Sequence, residues 1–191
     1  MRCLLCESLS FFHICRNCQN TFLTPSIYRR KILNNIEVIS FYKYDDIKNL
    51  LHTKHTDLGY YIYNILAKNS FKKFAAEFDY EHTVASVAID DTVQDAYSHT
   101  AILNKALKSN SINPLFNKLR AKNRVTYSGK SREFRMLNPR DFEIKHFKER
   151  ELILVDDIVT TGLTFTQAIG TLQKNSHNVI FCLSLADASI T

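Results

Sequence analysis

The sequence predicts an α/β protein: a parallel sheet flanked by helices, preceded by a small cysteine-bearing segment. Three observations carry that reading. Short apolar runs, residues 84–89 and 152–155 among them, alternate with stretches of helical spacing. Leu152-Ile153-Leu154-Val155 is uninterrupted, as a strand covered on both faces must be. Four of the five cysteines fall within the first 22 residues, so the chain divides into a module at 1–22 and a body at 23–191.

The elements follow in order. Thr24-Pro25-Ser26 is a connector. Residues 36–42 are rich in β-branched and aromatic side chains and read as a strand that could form half of a hairpin. From Asp45 to about Phe78 the spacing is helical, with Ile47, Leu50 and Leu51 on one face and Leu58, Ile62, Ile65 and Leu66 on another. Residues 84–89 form a strand and 96–108 a helix, whereas 112–138 are mixed and strongly basic. After the strand at 152–155 come a helix at 164–174 and a final strand at 179–185, which makes Cys182 a core residue.

At 191 residues, 45% hydrophobic and 23% charged, the composition is that of a globular chain. No apolar run approaches the roughly 20 residues of a membrane span, and no apolar segment with a cleavage site opens the sequence. The expected protein is therefore not integral to a membrane, and its expected location is the cytoplasm. Thiols stay reduced there, so clustered cysteines favour metal over disulfides. The net charge is +6, and it is uneven. Residues 105–150 hold 13 Lys/Arg against 4 Asp/Glu, a local +9, which leaves −3 for the rest. A basic stretch on an otherwise acidic body suggests a polyanionic partner, a nucleic acid or a phosphorylated ligand.

Cys3-Leu4-Leu5-Cys6 and Cys15-Arg16-Asn17-Cys18 are two CxxC pairs with eight residues between them. Each two-residue gap lets both thiolates reach one ion, and two pairs close a tetrahedron, the usual structural zinc arrangement. The expected ligands are Cys3, Cys6, Cys15 and Cys18, with His13 a bystander.

The sharpest motif runs from Leu152 through Asp156-Asp157-Ile158-Val159-Thr160-Thr161-Gly162-Leu163-Thr164. An apolar strand ends in two carboxylates, and hydroxyl residues and a glycine lead into a helix. Ligands of parallel α/β sheets sit at the carboxyl ends of strands. A loop entering a helix turns unpaired N–H groups and the positive end of the dipole toward a phosphate. Thr160, Thr161 and Thr164 can add hydroxyl donors, and Gly162 permits close backbone approach. Asp156 and Asp157 would repel a phosphate, so they should face something else, such as the hydroxyls of an attached sugar.

This segment resembles the phosphoribosyl pyrophosphate loop of type I phosphoribosyltransferases. The resemblance implies that residues 160–164, Leu163 among them, hold the 5′-phosphate, with Val159 just before them. It also implies that Asp156 and Asp157 bind the ribose hydroxyls and that magnesium (Mg2+) arrives with the ligand. Joined to the two CxxC pairs, the loop is similar to the ComF family of competence proteins, and to its ComFC type. Residues 39–51 resemble that family's aromatic strand and following helix, and Arg124-Val125-Thr126 and residues 132–138 resemble its later basic segments. Two departures stand out. Where the family has a basic strand end for the pyrophosphate, this chain has Val87-Ala88-Ile89-Asp90-Asp91, and residues 95–99 replace another family segment.

Lys118, Arg120, Lys122, Arg124, Lys130, Arg132 and Arg135 place seven cations in 18 residues, with Tyr127 and Phe134 interspersed. Cations that track phosphates, with aromatic faces that stack bases, suit single-stranded DNA without base readout. A lid over the ligand and a solvated face are the other readings of this segment. The function implied by the resemblance is a DNA-uptake factor for natural transformation. It would bind phosphoribosyl pyrophosphate with magnesium and single-stranded DNA at the cytosolic side of the inner membrane, beside an uptake helicase or channel. The alternatives are a metabolic phosphoribosyltransferase acting on an unidentified acceptor base, and an adaptor that docks a helicase through the cysteine module.

Overall fold

A computed structural model describes residues 1–90, 97–122 and 141–190. Arg124, Tyr127, Lys130, Arg132 and Arg135 lie outside these residues, as does Asp91. Among the described residues the body is a seven-stranded sheet in the order β1-β2-β7-β6-β3-β4-β5. Its strands are β1 (Tyr28–Ile32), β2 (Ile36–Lys43), β3 (Val84–Asp90), β4 (Ile112–Ala121), β5 (Phe142–Ile144), β6 (Glu151–Val159) and β7 (Asn178–Asp187). The five central strands run parallel, as the alternating pattern predicts. The edge strands β1 and β5 are antiparallel to their neighbours. Only residues 33–35 connect β1 to β2, too few for the crossover that a parallel pair requires, so the strand at 36–42 is indeed one arm of a hairpin.

The predicted helical stretch from 45 to 78 is broken into three helices: α2 (Tyr44–Leu51), α3 (Asp57–Asn69) and α4 (Phe71–Glu77). Thr56 marks one break, where its hydroxyl caps α3 by accepting from the Gly59 N–H. Helix α5 (His99–Ala106) is capped in the same way by Ser98, which accepts from Ala101 N–H. Helix α1 (Arg16–Phe22) lies in the cysteine module, and α6 (Leu163–Lys174) follows the threonine loop.

Alternation along β6 sorts the core into two layers. Ile153 and Val155 face α2–α5, and Leu152 and Leu154 face α6. All four residues from Leu152 to Val155 are fully buried, which is why the run carries no polar alternation. The cysteine module shares the first layer. Cys3, Ile14, Cys18 and Leu23 are buried in the same apolar cluster as Phe41, Tyr63, Leu66 and Phe71. Two polar ties fix it further: Asn69 Nδ2 donates to Gln19 Oε1 at 3.1 Å, and Tyr42 OH donates to Leu23 O at 2.8 Å. Among the described residues, no helix is long and apolar enough to cross a membrane.

Candidate ligand and metal sites

The four sulfurs of Cys3, Cys6, Cys15 and Cys18 lie within 4.8 Å of one another, with Cys6 and Cys15 3.7 Å apart. Zinc–sulfur bonds of about 2.3 Å in a tetrahedron set sulfur–sulfur edges of about 3.8 Å, so the set fits one ion. Backbone N–H groups surround the sulfurs. Cys15 N–H donates to Cys3 Sγ at 3.3 Å, and Cys18 N–H donates to Cys15 Sγ at 3.4 Å. Burial raises the Cys3 thiol, but N–H groups of Cys15, Leu5 and Cys6 outweigh it and bring its pKa down to about 6, which favours the thiolate a metal needs. His13 is outside this group; its ring packs on Tyr61 at 4.7 Å. Burial pushes the Cys182 thiol up, which leaves it an inert core residue.

The threonine loop spans Thr160 to Gly162, between β6 and α6. Gly162 has φ of +80° and directly precedes α6. A Cβ placed there would come within 2.9 Å of Ile32 Cγ2, because the β1–β2 hairpin folds over the loop. The hairpin also grips the loop from behind. Arg30 Nη2 donates to Thr160 O at 2.6 Å, and Arg30 Nε pairs with the buried Asp187 at 3.0 Å. Asp187 in turn accepts from Ser189 N–H and Oγ–H. Gly162→Ala is therefore expected to cost about 1–2 kcal/mol from the left-handed backbone alone, with the Ile32 contact adding to it. Chemical denaturation would measure the loss.

The strand runs on past the two carboxylates to Val159, and Asp156 and Asp157 are both buried within it. The Asp156 carboxylate accepts from Asp157 N–H at 2.8 Å. The Asp157 carboxylate points toward α3 and α5, where one oxygen, Oδ2, receives Lys54 Nζ at 3.1 Å, His99 Nε2 at 3.2 Å and Tyr63 OH at 3.4 Å. Burial opposes its charge, yet the Lys54 ammonium and the His99 ring hold its carboxyl well below the usual range. Burial and the Asp157 charge push the Tyr63 phenol up, so it stays a donor. Asp90, at the end of β3, lies under the start of α5 and accepts from Ser98 Oγ at 3.0 Å and Thr100 Oγ1 at 3.1 Å. Burial lifts its carboxyl above the usual range against those hydroxyls.

Of the basic segment, Lys118, Arg120 and Lys122 lie among the described residues. They alternate with the buried Leu119 and Ala121, so they share the outer face at the end of β4. Lys118 Nζ donates to His146 O at 2.9 Å and sits 5.9 Å from the Phe147 ring centroid. Lys122 pairs with Asp141 at 3.3 Å, and Arg120 is exposed.

Sequence reasoning missed Arg30, Lys54, Tyr63 and His99. Arg30, Tyr63 and His99 sit in no recognisable motif, and Lys54, in the turn that follows the segment at 39–51, is far from Asp157 in the chain. Gly59 was a usable signal for the turn that carries Lys54. A Cβ there would collide with Thr53 O and with the Tyr97 hydroxyl, so a glycine at the start of a helix reports a close approach.

No protein-family model matches the chain, and no curated protein matches it. Among solved structures it is similar to an orotate phosphoribosyltransferase from Mycobacterium tuberculosis H37Rv, at 13% identity over 91% of this chain and 85% of that one, with a TM-score of 0.41. It is similar also to an orotate phosphoribosyltransferase from Aeropyrum pernix, at 15% identity over 91% and 82%, with a TM-score of 0.39. A phosphoribosyltransferase from Corynebacterium diphtheriae is a third, at 15% identity over 74% and 72%, with a TM-score of 0.38.

Proposed function

We propose that this chain binds phosphoribosyl pyrophosphate with magnesium at the end of β6 and single-stranded DNA along its basic segment, as a factor in DNA uptake. The observation that carries the first half is the junction of β6 and α6. There a left-handed glycine opens a helix directly after a hydroxyl-rich loop, and two buried carboxylates lie just before it. In this reading the N–H groups and hydroxyls of residues 160–164 hold the 5′-phosphate. Leu163 is among them and Val159 precedes them, and Asp156 and Asp157 take the sugar hydroxyls. Magnesium supplies charge neutralisation for the diphosphate when bound, held largely by the ligand's own oxygens. Zinc is the ion that suits four thiolates, and its role is structural, because all four positions of the tetrahedron are filled by protein.

The DNA half is supported by the row formed by Lys118, Arg120 and Lys122 on the outer face of β4. Arg124, Tyr127, Lys130, Arg132 and Arg135, which follow in the sequence, are the further residues of this reading. The uptake role, the cytosolic setting and a helicase or channel partner rest on the resemblance to the ComF family.

Two measurements test this reading. Phosphoribosyl pyrophosphate with magnesium should raise the melting temperature, since a ligand that binds only the native state stabilises it; no shift removes the ligand reading. Single-stranded oligonucleotides should bind with little sequence preference. If about four cations contact phosphates, the log–log salt slope should be near −2.8, from roughly −0.7 per contact. Arg120→Glu with Lys122→Glu should weaken binding and flatten the slope. If the pair leaves DNA affinity intact but abolishes the ligand-induced shift, the segment is a lid over the ligand.

A further inference from the structure

The three donors gathered on Asp157 come from three separate elements. Lys54 lies in the turn at residues 52–55, Tyr63 in α3 and His99 at the first position of α5. The turn carrying Lys54 is held firmly. Tyr97 OH donates to Lys54 O at 2.6 Å and reaches Thr56 O at 3.2 Å, and Gly59 lets α3 close against it. The His99 ring is held edge-on to Tyr63, with centroids 5.4 Å apart. The side chains are nonetheless within reach of solvent, Lys54 at 28% exposure and His99 at 14%, against 10% for Asp157. A carboxylate assigned to a sugar hydroxyl thus has an ammonium and an imidazole on its solvent side.

The acids around this point need a cationic counterpart. The end of β3 offers Asp90 in place of cations, and its carboxylate is engaged by Ser98 and Thr100. A sugar hydroxyl that reaches Asp157 brings no charge. A diphosphate on a sugar held at Asp157 would bring several negative charges toward the Lys54 and His99 side chains that sit on that carboxylate. Their attraction to it exceeds their attraction to a single carboxylate.

Building on the proposed ligand reading, we propose that Lys54 and His99 form the diphosphate-reading part of the site. Held on Asp157 in the free protein, they turn to the diphosphate when the sugar takes its place on that carboxylate. They are then the residues that discriminate a sugar phosphate carrying a 1-diphosphate from one that lacks it.

Calorimetric titration of the full chain with magnesium and either phosphoribosyl pyrophosphate or ribose 5-phosphate tests this. The readout is the ratio of the two affinities. The wild type should prefer the diphosphate. Lys54→Met and His99→Gln should each reduce the preference at least tenfold, the loss of one charge-assisted hydrogen bond. Lys54→Arg keeps the charge and should restore most of it. If Lys54→Met and His99→Gln weaken both ligands equally, the pair only braces Asp157 and the inference falls. An unchanged ratio also overturns it, and Lys54→Arg with His99→Gln decides the point should Lys54→Met not fold. A wild type that binds neither sugar phosphate defeats the ligand reading itself, a result distinct from binding without discrimination.

Discussion

Cys18→Ser is expected to abolish stoichiometric zinc and to lower the stability of the body as well as of the first 22 residues. Metal ligation in small thiolate modules contributes on the order of 10 kcal/mol to folding, more than most single substitutions can remove. The loss should spread because the module has no separate core. Cys3, Ile14, Cys18 and Leu23 are buried against Phe41, Tyr63, Leu66 and Phe71, so a module that comes apart exposes one side of α3. Elemental analysis should show one zinc per wild-type chain and none per variant. Thermal unfolding followed at tyrosine should move to lower temperature. Zinc retained at full stoichiometry would mean that three thiolates and a further ligand suffice. A body that melts unchanged without the metal would mean that α3 stands without the module.

The second large effect is expected at Asp157. Asp157→Ala removes the acceptor shared by Lys54, His99 and Tyr63, and a charge deprived of its partner in a buried setting costs about 3–5 kcal/mol. Lys54 is partly exposed and can turn to water, so the lower end, about 3 kcal/mol, is expected. Asp157→Asn should lose less, because its carbonyl oxygen still accepts. The pH dependence has a definite sign. The folded-state pKa of Asp157 lies below its unfolded value, so its contribution is present above about pH 4, the ordinary carboxyl value. It is lost as pH falls through the lower folded-state value. The gap between wild type and Asp157→Asn should therefore narrow in acid. A gap that widened in acid would mean that Asp157 is not ionised in the native protein. Both variants should also lose the stabilisation given by phosphoribosyl pyrophosphate, which separates the ligand's acceptor from a merely structural carboxylate. The matching Asp156→Asn variant leaves Lys54 and His99 paired with Asp157.

The sequence alone determined the parallel core. Leu152-Ile153-Leu154-Val155 can be uninterrupted only if both faces of the strand are covered, and helices on both sides of β6 cover them. It determined the cysteine cluster too, because CxxC spacing constrains which sulfurs can meet. It marked the loop at 160–162, because a glycine and hydroxyls between a strand and a helix are a local signal. What it left undecided is long-range. The antiparallel edges follow from a three-residue link and from pairing partners distant in the chain. The grip of Arg30 on Thr160 O depends on the hairpin folding over the loop, across 130 positions. The gathering of Lys54, Tyr63 and His99 on one oxygen depends on how three helical segments pack above β6. No periodicity records such meetings, since each residue's local environment is ordinary and only tertiary packing brings the charges together. The merging of the cysteine module into the main core has the same cause. Its few apolar side chains cannot bury themselves alone, and the surface that receives them, along α3 and β2, is created only when the sheet and helices assemble.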